Sequence, residues 1–292
     1  MDAEETGWTL VGSSISHKAI IECELVLTAT GIDTRIERNG ARWLLFARSE
    51  MEHAARQQLE AYRKENKGVK RERAPSPSID KGFVGCAIYV AIVWTVWILE
   101  SLGLLGEFSR NGAMWAYAVR EQGEWWRTLT ALTLHGDAAH LVGNTAFGVI
   151  FGIIAGRYYG SGLAWLLILL CGAAGNYLNA LVQADRFVSI GASTAMFAAV
   201  GLIAGMFFRR RFISGRGWRY NAIPIVGAIG VFAFMGIGSE RTDVVAHLTG
   251  LFCGLLAGVV VASFNLLRIG KSGQVLAGVT AIALLGIAIV IA

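Results

Sequence analysis

The sequence predicts an all-α, polytopic membrane protein with a small α+β domain at its N-terminus. Only 16% of the 292 residues are charged, against roughly 25% in soluble domains. The mean hydropathy is +0.52, and seven apolar segments follow residue 83, each close to the ~20 residues that span a bilayer. The 36 glycines suit closely packed membrane helices. This composition argues against a soluble enzyme, a disordered scaffold and a disulfide-rich secreted module.

Residues 1–66 are predicted to form the α+β domain, which the orientation argument below places in the cytoplasm. Alternating apolar residues, a turn signal at Asn39-Gly40 and the capping-box pattern of Ser49 and Glu52 define its elements. A domain of this size is small for an independent core, so docking and self-association through it are both open. The predicted elements, in order, are a strand at 8–11, a helix at 16–30, a hairpin of 32–36 with 43–46, and a helix from 52 to about 66.

Residues 67–82 are predicted to be a basic linker that leads into the membrane part of the chain. That part divides into a six-helix core at 83–265 and a loop with a seventh helix at 266–292. The stretch 106–135 is rich in tryptophan, partly charged and too amphipathic to span, so we expect it at the membrane interface. The apolar segments run roughly 83–105, 136–156, 161–183, 191–208, 221–237, 243–263 and 272–292.

Basic residues predict the orientation of these segments. They follow the second, fourth and sixth segments, whereas the opposite loops mix basic with acidic residues. The positive-inside rule then places the N-terminal domain in the cytoplasm and the C-terminus outside. The acidic N-terminus, Met1-Asp2-Ala3-Glu4-Glu5, is unlike a signal or transit peptide, which favours a bacterial inner membrane. The basic residues are Arg157, Arg209, Arg210, Arg211, Arg216, Arg219, Arg268 and Lys271.

Charge and cysteine usage argue against several kinds of ligand. The net charge of +5 is explained by membrane topology, so we expect no nucleic-acid partner. The cysteines Cys23, Cys86, Cys171 and Cys253 are scattered and fit neither a disulfide framework nor a metal site. No phosphate-binding loop or zinc motif is present in the sequence. The sequence therefore predicts no cofactor and no metal.

Three segments carry polar residues at membrane depth, where such groups are costly and need a reason. Each residue alone also fits a packing role, because glycines admit neighbouring helices and a single serine or histidine is often structural. The second segment has His140 and Asn144 in line with Gly148, Gly152 and Gly156; the fourth has Ser193 in line with Phe197, Gly201 and Gly205; the sixth has His247 beside Ala246, Gly250, Gly254 and Gly258.

Topology brings these residues to one level. The three segments all run from outside to inside, so His140, Ser193 and His247 are expected together near the outer surface. A serine hydroxyl becomes a good nucleophile when a base such as neutral imidazole removes its proton. The amide of Asn144 and an imidazole N–H are suitable donors to a developing oxyanion.

At these residues the sequence resembles the rhomboid family of intramembrane serine proteases. The resemblance extends over residues 83–265 in order, spacing and topology, and it implies a rhomboid-like six-helix core. The matching motifs are Trp126-Arg127, His135-x4-His140-x3-Asn144, Gly191-Ala192-Ser193-x-Ala195 and Ala246-His247-x2-Gly250-x3-Gly254.

The resemblance implies a serine endopeptidase that cuts transmembrane segments of other membrane proteins near the outer face of the bilayer. Ser193 would be the nucleophile and His247 the general base, as a dyad without an acidic third member. His140, Asn144 and the Ser193 backbone N–H would stabilise the oxyanion. Supporting roles would fall to Gly191 in the serine motif, Phe197 against the imidazole, Gly250 and Gly254 in helix packing, His135 within the loop, and Trp126 with Arg127 as its interface anchor.

Two positions leave alternatives open. Thr194 stands where the family usually has glycine, and its β-branch restricts the backbone at the helix start. Asp243 lies one turn before His247, where it would serve either as a triad acid or as a helix cap; capping is the preferred interpretation. Asp137 is interpreted in the same way, as a loop or cap residue.

Two rival functions compete with the protease. The first is an inactive rhomboid-like protein that binds transmembrane helices as an adaptor or chaperone; such relatives characteristically lose the serine or the histidine, and this chain keeps both. The second is a small-solute transporter or channel, which predicts polar residues near the midplane or an inverted repeat. The polar residues here lie near one face instead, and we detect no repeat.

Overall fold

A computed structural model describes residues 7–66, 79–213, 218–236 and 242–292. It separates the chain into two compact units, Met1–Pro75 and Ser76–Ala292. Most of the predicted linker, the acidic residues at the N-terminus and Arg216 lie outside the described residues.

The N-terminal unit has the predicted β-α-β-β-α order. Its elements are β1 (Trp8–Ser14), α1 (His17–Ala29), β2 (Thr34–Asn39), β3 (Arg42–Arg48) and α2 (Glu52–Glu65). The strands form an antiparallel sheet in the order β1-β3-β2. Asn39 pairs with Arg42 across a turn in which Gly40 has a φ of 57°, so the predicted hairpin is confirmed.

The core of this unit lies between the sheet and the two helices. Ile20 and Leu27 of α1, Leu45 of β3 and Leu59 of α2 are its largest buried side chains. Ser16 caps α1 by accepting a hydrogen bond from the Ala19 backbone N–H at 3.4 Å. These contacts explain how about sixty residues enclose an apolar core.

The capping box predicted at Ser49 and Glu52 is wrong. Ser49–Met51 forms a 3-10 turn ahead of α2, and the residue at the N-cap position is Met51, without a side-chain cap. The Ser49 hydroxyl instead accepts a hydrogen bond from the Thr9 hydroxyl at 3.0 Å. Ser49 therefore ties the end of the sheet together rather than the start of the helix.

The second unit is a helical bundle in which all seven predicted apolar segments are helices. Their bounds are α3 (Phe83–Ser101), α7 (Ala138–Tyr159), α8 (Ser161–Val182), α9 (Ser193–Ile213), α10 (Trp218–Met235), α11 (Val244–Val261) and α12 (Gly270–Ile291). Within the described ranges, six of these helices are long and apolar enough to cross a membrane.

The exception is α9, which lies in the middle of the bundle and packs against α7, α8, α10 and α11. Every residue from 194 to 202 is buried. Its last turns carry Arg209, Arg210 and Arg211, so α9 is less apolar overall than the helices that surround it.

The insertion between α3 and α7 folds into short helices, α4 (Phe108–Gly112), α5 (Ala116–Glu121) and α6 (Arg127–Thr130). A two-residue strand, β4 (Met114–Trp115), pairs antiparallel with β5 (Val188–Ser189). All residues from 127 to 135 are buried. This part of the insertion therefore packs inside the protein, and its position at the membrane interface stays a prediction.

Glycine explains why α9 and α11 approach so closely. A Cβ on Gly254 would lie 2.0 Å from the Ala198 carbonyl oxygen, and a Cβ on Gly201 would lie 2.2 Å from the Leu251 carbonyl oxygen. Gly250 faces the Thr194 carbonyl oxygen in the same way, at 2.2 Å. The two backbones are thus in direct contact over several turns, as the predicted packing role of Gly250 and Gly254 requires.

The seventh helix, α12, is joined to the bundle by a polar contact. The Gln274 side chain donates to the Tyr159 carbonyl at 2.8 Å and accepts from the Leu163 backbone N–H at 3.0 Å. The two partners lie on either side of the tight turn between α7 and α8, where Gly160 has a φ of 85°. Gln274 therefore fixes the start of α12 against the start of α8.

Candidate active site

The residues predicted to act together lie at the beginnings of α7, α9 and α11. Ser193 is the first residue of α9, and His247 lies in the first turns of α11. His247 Nε2 is 2.7 Å from Ser193 Oγ. The close contact of α9 with α11 at Gly250 sets this distance, because it places the two helix starts side by side.

The imidazole of His247 is oriented by two further contacts. Its Nδ1 is 3.0 Å from the carbonyl oxygen of Gly236, just after the end of α10. A carbonyl only accepts, so Nδ1 carries the hydrogen and Nε2 is free to accept the Ser193 hydroxyl proton. The Phe197 ring lies against the imidazole, with ring centroids 4.5 Å apart, as the resemblance implied.

Asp243 does not complete a triad. Its carboxylate caps α11 by accepting from the Ala246 backbone N–H at 3.0 Å, and its second oxygen accepts from the Asn179 side chain at 2.6 Å. Asp137 likewise caps α7 by accepting from the His140 backbone N–H at 2.8 Å. Both carboxylates are helix caps, which was the preferred interpretation.

Gly191 brings the predicted oxyanion residues next to the serine. It has a φ of 130°, and a Cβ there would lie 2.7 Å from His140 Cε1 and 3.6 Å from Asn144 Nδ2. Its N–H donates to the Ala131 carbonyl at 2.9 Å. A side chain at this position would therefore displace His140 and strain the backbone two residues before Ser193.

Asn144 presents a hydrogen-bond donor at this point. Its side chain is buried, and its Nδ2 has no partner within the described part of the chain. Buried donors are nearly always paired, so this one needs an explanation. An unpaired donor near a serine hydroxyl is the kind of group that could stabilise a developing oxyanion.

His135 lies in the loop behind His140, with the two ring centroids 5.2 Å apart. Burial, together with the neighbouring His140, lowers the pKa of His135 to about 4. Its Nδ1 is 3.3 Å from the Thr133 carbonyl oxygen. A neutral imidazole bonded to its own loop fits the structural role that the resemblance implied.

Arg127 organises the insertion from within. Its guanidinium donates to the carbonyls of Arg110 at 2.9 Å and Ala113 at 3.0 Å, and it forms an ion pair with Glu124. The residue is only 7% exposed. Trp126 packs against an apolar cluster that includes residues of α12. Anchoring of this loop at a membrane interface stays a prediction.

Thr194 occupies a space between helices rather than facing the oxyanion residues. It is 3% exposed, and its methyl carbon would lie 2.9 Å from a Cβ on Gly175 of α8 and 3.1 Å from a Cβ on Gly250 of α11. The β-branched side chain thus fills the junction of α8, α9 and α11. The absence of a side chain at Gly175 and at Gly250 makes room for it.

Sequence reasoning missed three residues that support the site. Tyr89 donates from its hydroxyl to the Asn144 carbonyl at 2.9 Å, Asn179 holds Asp243, and the Gly236 carbonyl orients His247. The two side chains had a usable signal, because polar groups inside apolar segments generally have a role. A backbone carbonyl leaves no such signal.

Metal-binding side chains are not assembled in this structure. Among the residues that it describes, no group of three or more His, Cys, Asp or Glu side chains is placed to hold a metal ion. The four cysteines are free. Acyl transfer by a serine and a histidine needs neither a metal ion nor a disulfide bond.

Comparison with known proteins shows what the chain is similar to. The rhomboid domain model matches residues 122–264. The chain is 29% identical to the rhomboid protease GluP of Bacillus subtilis over 193 residues, which are 64% of this chain and 36% of that protein. It is 28% identical to the putative rhomboid protease YdcA of the same organism over 134 residues, which are 46% of this chain and 66% of that protein.

A third relative comes from another organism. The rhomboid-like protease 2 of Toxoplasma gondii is 28% identical over 188 residues, which are 63% of this chain and 65% of that protein. The chain thus spans about a third of GluP and slightly less than two thirds of the other two. The matched domain contains Ser193, His247, His140 and Asn144. The chain is a multi-pass membrane protein that carries a rhomboid domain at residues 122–264.

Proposed function

We propose that this protein is an intramembrane serine endopeptidase that hydrolyses peptide bonds in or near transmembrane helices of other membrane proteins. The observation that carries the proposal is the 2.7 Å contact between His247 Nε2 and Ser193 Oγ. The names of the relatives, which are rhomboid proteases, support the same reaction. The substrates and partners of this protein are part of the same proposal.

The reaction proceeds through an acyl-enzyme. Ser193 Oγ attacks the scissile carbonyl while His247 Nε2 takes the hydroxyl proton, and the Gly236 carbonyl stabilises the imidazolium through Nδ1. His140 and Asn144 donate to the oxygen that becomes negative. His247 then protonates the leaving amine, and a water molecule, deprotonated by His247, releases the acyl group and restores Ser193.

The proposed setting is a cell inner membrane, with the N-terminal domain in the cytoplasm. The active site then opens at the outer side, since α7, α9 and α11 all begin at the end that carries Ser193. Water reaches the serine from that side, and a substrate helix unwinds locally to present its peptide bond. The bilayer supplies the substrate, and no cofactor takes part.

Labelling with a fluorophosphonate probe tests the proposal without a known substrate. The full chain is reconstituted in vesicles and compared with Ser193→Ala and His247→Ala. Ser263→Ala and His53→Ala serve as matched controls, because both residues lie outside the site. We expect labelling of the wild type and both controls, and its loss in the two site variants.

The opposite result would favour the adaptor. A wild type that is folded yet unlabelled, under conditions in which an active relative is labelled, contradicts the protease. The chain would then be better described as an inactive rhomboid-like protein that binds transmembrane helices.

A further inference from the structure

An apolar cavity lies on the side of the bundle formed by α3, α8 and α12. It has a volume of about 410 Å³, and its floor is formed by Ile168 of α8 and by Ala192, Ala195 and Met196 around the start of α9. Val84 of α3 and Val275 of α12 line it and are largely exposed. The cavity therefore opens sideways, between α3 and α12, through helices long enough to cross the membrane.

The dimensions of the cavity limit what it can hold. Its lining on α12 runs from Gln274 to Leu285, which is about 17 Å at about 1.5 Å per residue. One leaflet of a bilayer has a hydrocarbon thickness of about 15 Å, half of the ~30 Å core. The length of the cavity therefore matches one acyl chain within one leaflet, whereas a transmembrane helix extends through the whole hydrocarbon core of about 30 Å.

Asp80, Ser161 and Gln274 lie together at one end of the cavity, where α8 and α12 begin. The hydroxyls of the other lining residues Thr133 and Tyr89 are already bonded to backbone carbonyls. Ser161 is 9% exposed, and its hydroxyl has no partner anywhere in the described ranges. Its backbone N–H donates to Asp80 at 2.6 Å, and Gln274 lies beside it in the lining. Most of the remaining lining is aliphatic or aromatic. An amphiphile with one apolar chain and a hydrogen-bond acceptor at its head matches this distribution.

We propose that the cavity binds one acyl chain of a membrane glycerolipid. The chain lies between α3 and α12, and the ester carbonyl of the lipid accepts a hydrogen bond from the Ser161 hydroxyl. The acidic side chain of Asp80 at the same end disfavours a headgroup whose phosphate lies directly against Ser161. The bound chain packs on Ala192 and Ala195, which flank Ser193 in sequence. It therefore supports the first turn of α9 on the side that faces the cavity.

A photoactivatable lipid tests the site directly. The full-length protein is reconstituted in vesicles of phosphatidylethanolamine and phosphatidylglycerol, with a trace of phosphatidylethanolamine that carries a diazirine in mid-chain. Cross-links are counted on the buried floor residues Ile168 and Met196 and divided by those on Val290, which faces outward on α12. We expect clear labelling of the floor in the wild type.

Two variants on one helix provide a matched comparison. Ile282 lines the cavity and is 49% exposed, whereas Ile287 lies outside its lining and is 51% exposed. We expect Ile282→Trp to reduce the floor-to-outside ratio at least fivefold and Ile287→Trp to leave it unchanged. Equal ratios in the two variants, or an unlabelled floor in the wild type, would overturn the proposal.

A third variant tests the polar end without adding volume. Ser161→Ala removes only a hydroxyl that has no protein partner in the described structure, so we expect the fold to persist and floor labelling to fall two- to fivefold. Unchanged labelling would overturn the assignment of Ser161 to the lipid ester. Labelling of the floor by a diazirine-bearing transmembrane peptide, in competition with the lipid, would overturn the acyl chain as the occupant.

Discussion

The His247 imidazole is held on three sides by groups of different chemistry. Nδ1 is hydrogen-bonded to the Gly236 carbonyl, Nε2 is hydrogen-bonded to Ser193 Oγ, and the Phe197 ring packs against the imidazole. A histidine whose Nδ1 donates to a carbonyl and whose Nε2 accepts from a serine hydroxyl has one tautomer and one orientation. The orientation that a third acidic residue provides in a triad comes here from a backbone carbonyl and an aromatic ring.

Asn144→Ala tests the proposed oxyanion donor. Loss of one such donor typically costs about 10²- to 10³-fold in rate, so we expect the rate constant for fluorophosphonate labelling to fall by about 100-fold. The thermal midpoint should change little, because Asn144 Nδ2 bonds nothing in the described structure. An unchanged labelling rate in a folded Asn144→Ala protein would show that Asn144 is not an oxyanion donor. Asn111→Ala is the control.

His135 predicts how stability depends on pH. Its pKa is about 4 in the folded protein because of burial and the nearby His140, against about 6.5 when unfolded. Between these values the unfolded chain binds a proton and the folded protein does not, so stability is full above about pH 6.5 and falls as the pH drops towards 4, by up to about 3 kcal/mol.

The measurement for His135 is the thermal midpoint in detergent at several values between about pH 7 and pH 4. His135→Asn keeps a short polar side chain that does not titrate, so we expect a shallower loss of stability on acidification than in the wild type. Parallel curves would show that His135 contributes nothing to the pH dependence. His17→Asn is the matched control in the N-terminal unit.

At the scale of elements, contact between α9 and α11 decides whether the serine meets the histidine. Gly254→Ala places a Cβ 2.0 Å from the Ala198 carbonyl oxygen, so the helices must separate, at a cost of about 1–3 kcal/mol. We expect a lower thermal midpoint and slower labelling of Ser193. In Gly230→Ala of α10 the added Cβ meets nothing within 4 Å, and we expect equal or greater stability.

The helices, their order and the approach of α9 to α11 could be predicted from sequence, because apolar length and glycine at every fourth residue leave direct patterns. The burial of Arg127 could not, since it depends on carbonyls of Arg110 and Ala113 that meet it only after folding. The error at Ser49 has the same origin. Its capping pattern was locally sound, but the Thr9 hydroxyl on a neighbouring strand takes the bond.

For the whole molecule, the separation into two compact units has a consequence for activity. Every residue of the proposed site, and every contact that orients it, belongs to the unit Ser76–Ala292. The N-terminal unit has its own apolar core. The small size of this unit suggests that the protein self-associates through it. Deletion of the unit tests that proposal together with its effect on activity.

Deletion of residues 1–75 should therefore leave the chemistry of Ser193 intact. We expect the shortened protein to label with the fluorophosphonate probe within about twofold of the full chain, because no group that holds His247 or Asn144 is removed. Cross-linking of the full and shortened chains in vesicles reports any self-association that the deletion abolishes. A shortened protein that folds, as judged by its thermal transition, but no longer labels would show that the N-terminal unit controls access to Ser193 or its activation.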